Sequence, residues 1–313
     1  MDSAVASPAE TALEGELARA NRALNGVAPV LEHALVADGG GLVNDLLVAR
    51  VRGMVNDLAH QLELRRSSET PDNLPVPEEA LDYLTRLLIS DTPLLLHLHA
   101  CAVEGVLTEK LDSQTGVDPV LSPLWQELIA SEDAAVSETA MQALAAQARF
   151  MQAQRRMQHP ILDLPPEVLE RALRIWVRAT NVEEEPSVAA AMRAIKSDYD
   201  EAQSRLGLIT RLVSSMREGR IAALELDHAG LALFTSALAS LTGETRERAV
   251  MACQNQQAAR LAVCLSAAGL DHSAIEQQFV HLDPANTTPR GLAGLSPDAA
   301  RALLQKSATE GQW

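Results

Sequence analysis

Apolar residues recur along most of this chain at intervals of three and four positions, the spacing that places them on one face of an α-helix. The longest uninterrupted stretch runs from about Glu132 to Gln158 and contains no Gly or Pro. A helix that is apolar on two sides is expected to lie buried between neighbours, so we predict a central helix here. Its two apolar stripes are Met141, Leu144, Ala148 and Met151, and Ala143, Ala146, Phe150 and Met157.

Start and stop signals divide the rest of the chain into further helices. A Pro at the first helical position, or a Ser, Thr or Asp just before it, marks a start, and Gly or Pro marks a break. Gly207 is a candidate break in the longest of these predicted helices. The helices cover about 8–25, 27–37, 42–66, 78–89, 92–111, 167–179, 187–217, 231–241 and 244–268, with further starts at Ser122, Ser273 and Ser296.

The composition favours helices over strands. Hydrophobic residues make up 47% of the 313 positions but aromatic residues only 3%, so the core has to consist of Leu, Ala, Val and Met. Apart from Val, these residues favour helices. We therefore expect an all-α fold, an array of antiparallel helical hairpins joined by short turns. The proline-rich linker from His159 to Pro166 predicts two packed helical halves, residues 1–160 and 161–313.

The net charge and the cysteine content indicate which kinds of partner to expect and in which cellular compartment the protein works. The formal net charge of -16 argues against a nucleic-acid partner, because neutralising phosphates needs clustered Lys and Arg. The chain shows neither a signal-peptide pattern nor an uncharged apolar run long enough for a membrane span. Three Cys without a CxxC pattern fit a reducing compartment, and Cys253 and Cys264, if they share a helix, lie about 16 Å apart. We expect a cytoplasmic protein with no membrane partner.

One amphipathic stripe raises the question of self-association. Leu47, Val51, Met54 and Leu58 follow one another at intervals of 4, 3 and 4 residues, a spacing that suits packing inside the protein or against a second copy. Three such intervals do not establish a coiled coil, so we predict internal packing and keep a homodimer as the alternative.

Two histidines on one predicted helix are the first candidates for chemistry. His97 and His99 are two residues apart and therefore point to different sides of a helix, so they cannot share a metal ion. His97, Cys101 and Glu104 do share one face and are residue types that zinc accepts. We interpret them as core residues and predict no metal and no cofactor. An alternative role of His97 or His99 as a phosphoacceptor is disfavoured by the surrounding leucines, because such a residue needs solvent access.

Basic residues gather at the end of the predicted central helix. Arg149, Arg155 and Arg156, with His159 beside them, are placed to interact with the helix dipole and with acidic neighbours. The functional alternative is a local positive surface that receives a carboxylate or a phosphate of a partner. These three arginines are our candidate partner-binding residues.

The remaining pairs and motifs give no reason to expect catalysis. Asp227-His228 and Asp271-His272 look like dyads but sit at predicted helix boundaries, where Asp is an ordinary cap. The chain contains no GxSxG, HExxH, P-loop, GxGxxG or EF-hand pattern. We therefore predict that the protein is not an enzyme.

Several segments resemble known sequences. Residues 127–144 resemble a HEAT-type repeat, with a helix, a short acidic turn, and then Val and Ala on the next helix. Other segments are similar to a family of uncharacterised bacterial proteins, chiefly alphaproteobacterial, that is known as a domain of unknown function. The resemblance covers about Leu42 to Pro284, and it implies a HEAT-like helical array but no activity and no functional residue. Its segments are Asp118–Ser131, Ala145–Phe150, Gln154–Met157, Leu226–Phe234 and Ile275–Phe279.

Helical arrays commonly present binding surfaces, and this architecture leads to the expected function. We expect a cytoplasmic helical protein that serves as an interaction or regulatory module for an unidentified protein partner. The alternative is a protein that binds an apolar small molecule or lipid in a cavity between the two predicted halves.

Overall fold

The structure, a computed structural model, describes residues 8–36, 45–68, 77–180, 186–283, 288–289 and 291–310. Within these ranges the chain forms fifteen α-helices and no β-strand, which confirms the all-α prediction. The helices are α1 (Pro8–Asn25), α2 (Val27–Val36), α3 (Asp45–Ser68), α4 (Glu78–Ile89), α5 (Thr92–Thr115), α6 (Pro123–Ile129), α7 (Ala134–Arg155), α8 (Pro166–Ala179), α9 (Pro186–Asp198), α10 (Arg205–Ser215), α11 (Leu226–Thr242), α12 (Arg246–Ala252), α13 (Ala258–Ala267), α14 (His272–Leu282) and α15 (Pro297–Glu310). Short 3-10 helices cover Ile161–Asp163, Glu201–Gln203, Arg217–Leu224, Asn255–Gln257 and Leu292–Gly294.

The described residues group into two compact units, each assembled from separate stretches of chain. Unit 1 draws on residues 1–27, 103–140 and 211–313, and unit 2 on residues 28–102 and 141–210. The linker from His159 to Pro166 lies inside unit 2. These units therefore differ from the contiguous halves 1–160 and 161–313 that the linker predicts, because its prolines separate two helices of the same unit.

Two helices of unit 1 are buried along most of their length. In α11 every residue from Ala229 to Leu238 is buried, and in α13 every residue from Ala259 to Ala267 is buried. Helix α11 packs against α6, α12, α13 and α14, while α13 also packs against α1 and α15. Helices that are buried on all sides are expected at the centre of a core, and in unit 1 these two occupy that place.

Helix α7 is not the fully buried central helix that its two apolar stripes predict. Three members of one stripe, Ala143, Ala146 and Phe150, are at most 5% exposed, but Met141 on the other stripe is 52% exposed. Met157 lies beyond the end of the helix at Arg155 and is 36% exposed. Periodicity shows where apolar residues line up on a helix, but it does not show whether a neighbour covers them.

Buried ion pairs tie the helices of unit 1 together. The Glu104 carboxylate on α5 is fully buried and accepts two hydrogen bonds, each 2.8 Å long, from the guanidinium of Arg246. The Nε of Arg246 also donates to the Ser236 hydroxyl at 2.9 Å. A second carboxylate, that of Glu244, accepts from Arg248 at 3.3 Å and from Arg260 at 2.9 Å.

The core of unit 2 is built on α3. Val51, Met54 and Leu58 are 0% exposed, so the stripe on this helix packs internally, as predicted, and is not available to a second copy. Helix α3 packs against α4 and α9, and α4 packs against α8. On α8 the fully buried Trp176 donates its indole N–H to Glu63 at 2.8 Å, which satisfies a buried polar group of α3.

Several predicted helix limits agree with the structure and others differ. The boundaries of α1, α4 and α8 agree to within one residue, whereas α5 continues to Thr115, past its predicted end at residue 111. Helix α14 starts before the predicted cap at Ser273, because Asp271 accepts a hydrogen bond from the backbone N–H of Ala274 at 2.8 Å. The predicted start at residue 42 lies outside the described residues, as does the predicted end at residue 37.

The predicted helix over 244–268 is in fact two helices, α12 and α13, separated by a break at residues 253–257. The chain turns there, which allows Glu244 and Arg260 to pair although they are sixteen positions apart.

Cys253 and Cys264 lie on different sides of this break and do not share a helix, so the distance of about 16 Å predicted for them does not apply. Burial raises the pKa of the Cys253 thiol, and it raises the pKa of Cys264 to about 12, so both remain protonated at neutral pH.

The predicted helix over 187–217 is also divided, but not at Gly207. Helix α9 ends at Asp198 and α10 begins at Arg205, so Gly207 lies within the first turn of α10. A Cβ atom at this position would lie 2.0 Å from the carbonyl oxygen of Glu201. The glycine is therefore required by close backbone contact and not by a helix break.

One membrane test on the described helices has a mixed result. None of them alone is long and apolar enough to cross a bilayer, while the bent pair Arg217–Leu224 and Leu226–Thr242, at 119°, meets the length and composition criteria. Residues of the second helix in this pair form the buried centre of unit 1.

The buried pair of Glu104 and Arg246 leads to a first prediction. Arg246→Met leaves a charged carboxylate in the core without its guanidinium, and we expect the free energy of unfolding to fall by about 3–5 kcal/mol. The free energy of unfolding should fall less in the double variant Glu104→Leu, Arg246→Met than in this single variant, because no unpaired charge remains in the core. Urea denaturation at pH 7 measures both.

The control for this prediction is Lys196→Met, which removes an exposed ion pair to Glu170 in unit 2. We expect this variant to change the free energy of unfolding by less than about 1 kcal/mol. A loss of similar size in Arg246→Met would contradict the structural role of the buried pair.

Candidate functional site

Helix α5 carries the three residues that spacing grouped as a candidate metal site. His97 and Cys101 are in contact, with Nε2 of the imidazole 3.6 Å from Sγ. Glu104 is already engaged by Arg246 through both carboxylate oxygens. Among the described residues no group of three His, Cys, Asp or Glu side chains could hold a metal ion. The structure therefore does not assemble this candidate.

The burial of the two histidines on α5 argues against the alternative that either of them is a phosphoacceptor. His97 is 3% exposed and His99 is 6% exposed. A phosphoacceptor imidazole has to be reached by a phosphodonor, and neither ring is accessible in this structure. Both histidines are core residues.

A small cavity lies beside α5 in unit 2. Its volume is about 10 Å³, enough for about one water molecule and far below the size of an organic substrate. Arg205, which sequence reasoning did not single out, lines this cavity with its guanidinium carbon 3.6 Å from the centre of the Phe150 ring. Its Nε donates to the Gln147 side chain at 2.7 Å. These contacts hold a buried cation in place.

His159 lines the same cavity and does not add positive charge to the nearby arginines. Burial, together with the positive charges of the neighbouring His97 and Arg205, lowers its pKa to about 3. Burial also lowers the pKa of His99 to about 4. Both imidazoles are neutral at physiological pH, so the expected contribution of His159 to a basic surface is wrong.

The three predicted partner-binding arginines lie at the end of α7. Arg155 is the last helical residue, Arg156 follows it, and Arg149 lies about two turns before it. All three side chains are exposed. None of them forms an ion pair with another residue in the described part of the chain, so intramolecular pairing does not account for them.

Helix geometry places these arginines along one exposed face. At about 100° per residue, Met141, Ala145, Arg149 and Gln152 fall within a sector of about 80°, and Arg155 lies about 40° outside it. Every one of these side chains is exposed. We call this set, together with Arg156, the α7 face. It combines an apolar centre at Met141 with positive charge at the C-terminal end.

The turn after α7 has a defined geometry. The N–H of Gln158 donates to the carbonyl of Ala153 at 2.9 Å, and the N–H of Met157 donates to Gln154 at 3.1 Å. This pair of bonds is the Schellman arrangement, which needs a left-handed residue at the position of Met157. Met157 does adopt a φ of 56°, although glycine is the usual choice there.

Helix α3 holds this turn in place through two polar side chains. Asp57 accepts a hydrogen bond from the N–H of His159 at 3.0 Å. Gln61 donates to the carbonyl of His159 at 2.8 Å and accepts from the N–H of Ile161 at 3.0 Å. The backbone that carries Arg155 and Arg156 is therefore fixed to α3 on the side away from solvent.

Gly53 allows the close approach that this arrangement requires. A Cβ atom on Gly53 would lie 2.5 Å from Cβ of Met157 and 2.8 Å from its carbonyl oxygen. Neither atom can move without displacing the turn. The contact is long-range in sequence, which is why the spacing of residues alone did not reveal it.

In each of the two Asp-His pairs the adjacent Asp and His have different partners. Asp271 caps α14, as predicted for a helix boundary. Asp227 lies 3.7 Å from His281, while His228 lies 3.4 Å from Glu127, so the adjacent residues Asp227 and His228 have different partners.

Comparison with known proteins adds no information on identity: no family model, no curated protein and no solved structure matches this chain. Its function therefore has to be inferred from its own side chains. The α7 face combines exposed arginines, the exposed apolar side chain of Met141 and a backbone that is held by hydrogen bonds at its C-terminal end.

The contact between Gly53 and Met157 leads to a second prediction. Gly53→Ala should lower the free energy of unfolding by about 1–3 kcal/mol, because the collision with the turn outweighs the better helix propensity of Ala. The matched control is Gly15→Ala in the middle of α1, where a Cβ meets nothing within 4 Å. That variant should gain about 0.5–1 kcal/mol. Thermal and urea denaturation of both measure the difference, and equal effects would contradict the contact.

The buried histidines lead to a third prediction, on pH. The unfolded chain protonates His99 and His159 near pH 6.5, whereas the folded chain does so only near pH 4 and pH 3. Above pH 6.5 both states hold neutral imidazoles, and the free energy of unfolding keeps its full value. Below pH 6.5 the unfolded chain takes up protons first, so the free energy of unfolding falls by up to about 1.4 kcal/mol per pH unit for each imidazole. Urea denaturation of the wild type and His159→Gln at pH 7.5 and pH 5 measures this dependence.

The His159→Gln variant should lose less stability than the wild type between these two pH values, because one titrating group has been removed. His272→Gln serves as the control, since this side chain is 44% exposed. If His159→Gln shows the same pH dependence as the wild type, His159 is not buried as a neutral imidazole.

Proposed function

We propose that this chain is a non-enzymatic helical protein of the cytoplasm that serves as a protein–protein interaction or regulatory module. The observation that supports this most directly is the α7 face, with three exposed arginines that have no ion-pair partner among the described residues. The proposed role of this face is to bind an acidic segment of a protein partner.

The chemistry of the face favours carboxylates. An arginine guanidinium can donate two parallel hydrogen bonds to one carboxylate, and such charge-assisted bonds are stronger than neutral ones. The apolar contact available at Met141, which is 52% exposed, adds burial at the other end of the face. An acidic helix with an apolar residue about two to four turns from its charges would match both features.

The fixed backbone supports recognition as well. A surface that is ordered before binding loses less conformational entropy on association. The hydrogen bonds from Asp57 and Gln61 hold the turn with Arg155 and Arg156 before any partner arrives. Each exposed ion pair contributes only about 0.2–1 kcal/mol by itself, so the three arginines together should set affinity and orientation.

The architectural part of the proposal is that the helices form a HEAT-like array, as in the bacterial family that the sequence resembles. Arrays of this kind bind partners along extended surfaces, which agrees with a role for α7. The alternative function, binding of an apolar small molecule or lipid in a cavity between the two helical halves, stays a hypothesis.

The proposal leads to a fourth prediction. A partner recovered with the purified protein from its own host should bind the variant Arg149→Ala, Arg155→Ala, Arg156→Ala at least about tenfold more weakly, because about 1.4 kcal/mol of charge-assisted contact is lost. The fold should be retained, since these side chains are exposed. Isothermal titration calorimetry measures the affinity and circular dichroism checks the helix content.

The matched control replaces three other exposed arginines of unit 2, Arg174, Arg178 and Arg193, by alanine. This variant has the same change in net charge and should bind as the wild type does. If both triple variants lose the same affinity, general electrostatic attraction explains binding and the α7 face is not the site. If only the first variant unfolds, its arginines are structural.

A further inference from the structure

The small cavity in unit 2 is lined mainly by polar side chains. Its volume is about 10 Å³, and five of its eight lining residues are His97, Cys101, His159, Asp163 and Arg205. They come from α5, from the turn after α7, from the short 3-10 helix that follows this turn and from the start of α10. A cavity with apolar walls stays empty, whereas a polar cavity of about this size holds one water molecule when two to four hydrogen-bonding groups reach it.

One atom on the wall of this cavity has an unmet hydrogen-bonding requirement. The His159 side chain is 4% exposed, and its Nε2 is buried without a hydrogen-bond partner in the part of the chain that the structure describes. A pKa of about 3 keeps this imidazole neutral, so the ring has one donor and one acceptor nitrogen. Leaving a buried polar atom unsatisfied costs about 1–3 kcal/mol. The cavity therefore favours an occupant that hydrogen-bonds to a neutral ring nitrogen.

Neighbouring residues fix the position of this imidazole. Asp57 accepts a hydrogen bond from the N–H of His159 at 3.0 Å, and Gln61 donates to its carbonyl at 2.8 Å. The ring of His97 meets the ring of His159 edge-on, with 5.6 Å between the ring centres and 75° between the planes. The ring is thus held at the cavity wall through its backbone and through its face.

Two charged side chains on the wall supply further hydrogen-bonding groups. Arg205 is 3% exposed, and its guanidinium is held by the Gln147 side chain at 2.7 Å and over the Phe150 ring at 3.6 Å. The Asp163 carboxylate accepts from the backbone N–H of Arg205 at 3.3 Å, which places the acid next to the start of α10. A guanidinium only donates and a carboxylate only accepts, whereas a water molecule does both.

We propose that this cavity binds one water molecule, which hydrogen-bonds to Nε2 of His159 and to the charged groups of Asp163 and Arg205. Because water donates as well as accepts, it satisfies Nε2 in either tautomer of the neutral ring. The bound water then joins the turn after α7 to α10 and is part of the structure of unit 2. This inference goes beyond the proposed function and is independent of it, since neither requires the other to be correct.

The walls of the cavity favour water over other small occupants. A metal ion would meet the positive charge of Arg205, and no group of three suitable ligands occurs among the residues that the structure describes. An anion would meet the carboxylate of Asp163 in the same small space. A neutral molecule that both donates and accepts suits the two charges together.

A crystal structure of the full chain tests this proposal and is the fifth prediction. We expect one spherical peak of electron density in the cavity, about 2.7–3.2 Å from Nε2 of His159. This peak should show no anomalous signal at the absorption edges of zinc and other transition metals. An empty cavity overturns the proposal, and so does a peak that carries the anomalous signal of a metal.

Oxygen-17 magnetic relaxation dispersion provides a second readout in solution, because it counts water molecules that stay buried while the protein tumbles. His159→Phe removes Nε2 and fills part of the cavity with a larger ring, so this variant should hold one long-lived water molecule fewer than the wild type. The matched control is His60→Phe, the same substitution at an exposed histidine of unit 2, which should leave the count unchanged. Equal counts in the wild type and in folded His159→Phe contradict the site. If His159→Phe does not fold, the wild-type crystal structure decides alone.

Discussion

The close contact between α3 and the turn after α7 is the constraint on which the candidate site depends. Gly53 admits the left-handed Met157 at a distance that no other residue would allow, and Asp57 and Gln61 bind the backbone on either side of His159. Helix α7 is therefore held at its C-terminal end by contacts from its buried side. Its exposed side remains free for Met141 and the arginines. One set of contacts thus explains both the order of the turn and the exposure of the charges.

The protein uses its arginines in two different ways. Arg205 and Arg246 are held in the interior by hydrogen bonds to Gln147, Ser236 and Glu104, where an unpaired charge would cost several kcal/mol. Arg149, Arg155 and Arg156 stand in solvent, where a charge needs no partner. A sequence pattern does not distinguish these groups, because the side chain is the same and only the surroundings differ.

Features set by neighbouring residues could be predicted from the sequence, whereas features set by contacts between distant residues could not. The ends of α1, α4 and α8 were predictable because Pro, Gly and capping residues act within one turn. The break between α12 and α13 was not, since it occurs without Gly or Pro and is accompanied by the long-range pair of Glu244 with Arg260. The burial of α11 and α13 instead of α7 depends likewise on which helices become neighbours.

The candidate site shows this limit in more detail. Arg149, Arg155 and Arg156 were identified from their position at a helix end, and the structure places them on an exposed face. His159 was grouped with them, but it points inward because the chain turns after Met157 and its imidazole enters the cavity with Arg205. Gly53, Asp57 and Gln61 were missed, because no local signal in α3 indicates a contact about a hundred residues away.

Site-specific cross-linking in living cells of the host would test the central claim most directly. A photoreactive amino acid at Gln152 lies on the α7 face, and one at Arg174 lies on the exposed side of α8 in the same unit. Our account predicts a defined cross-linked product, to a second copy or to another protein, from position 152 and none from position 174. Equal or absent cross-linking at the two positions would contradict the assignment of the α7 face as a binding surface.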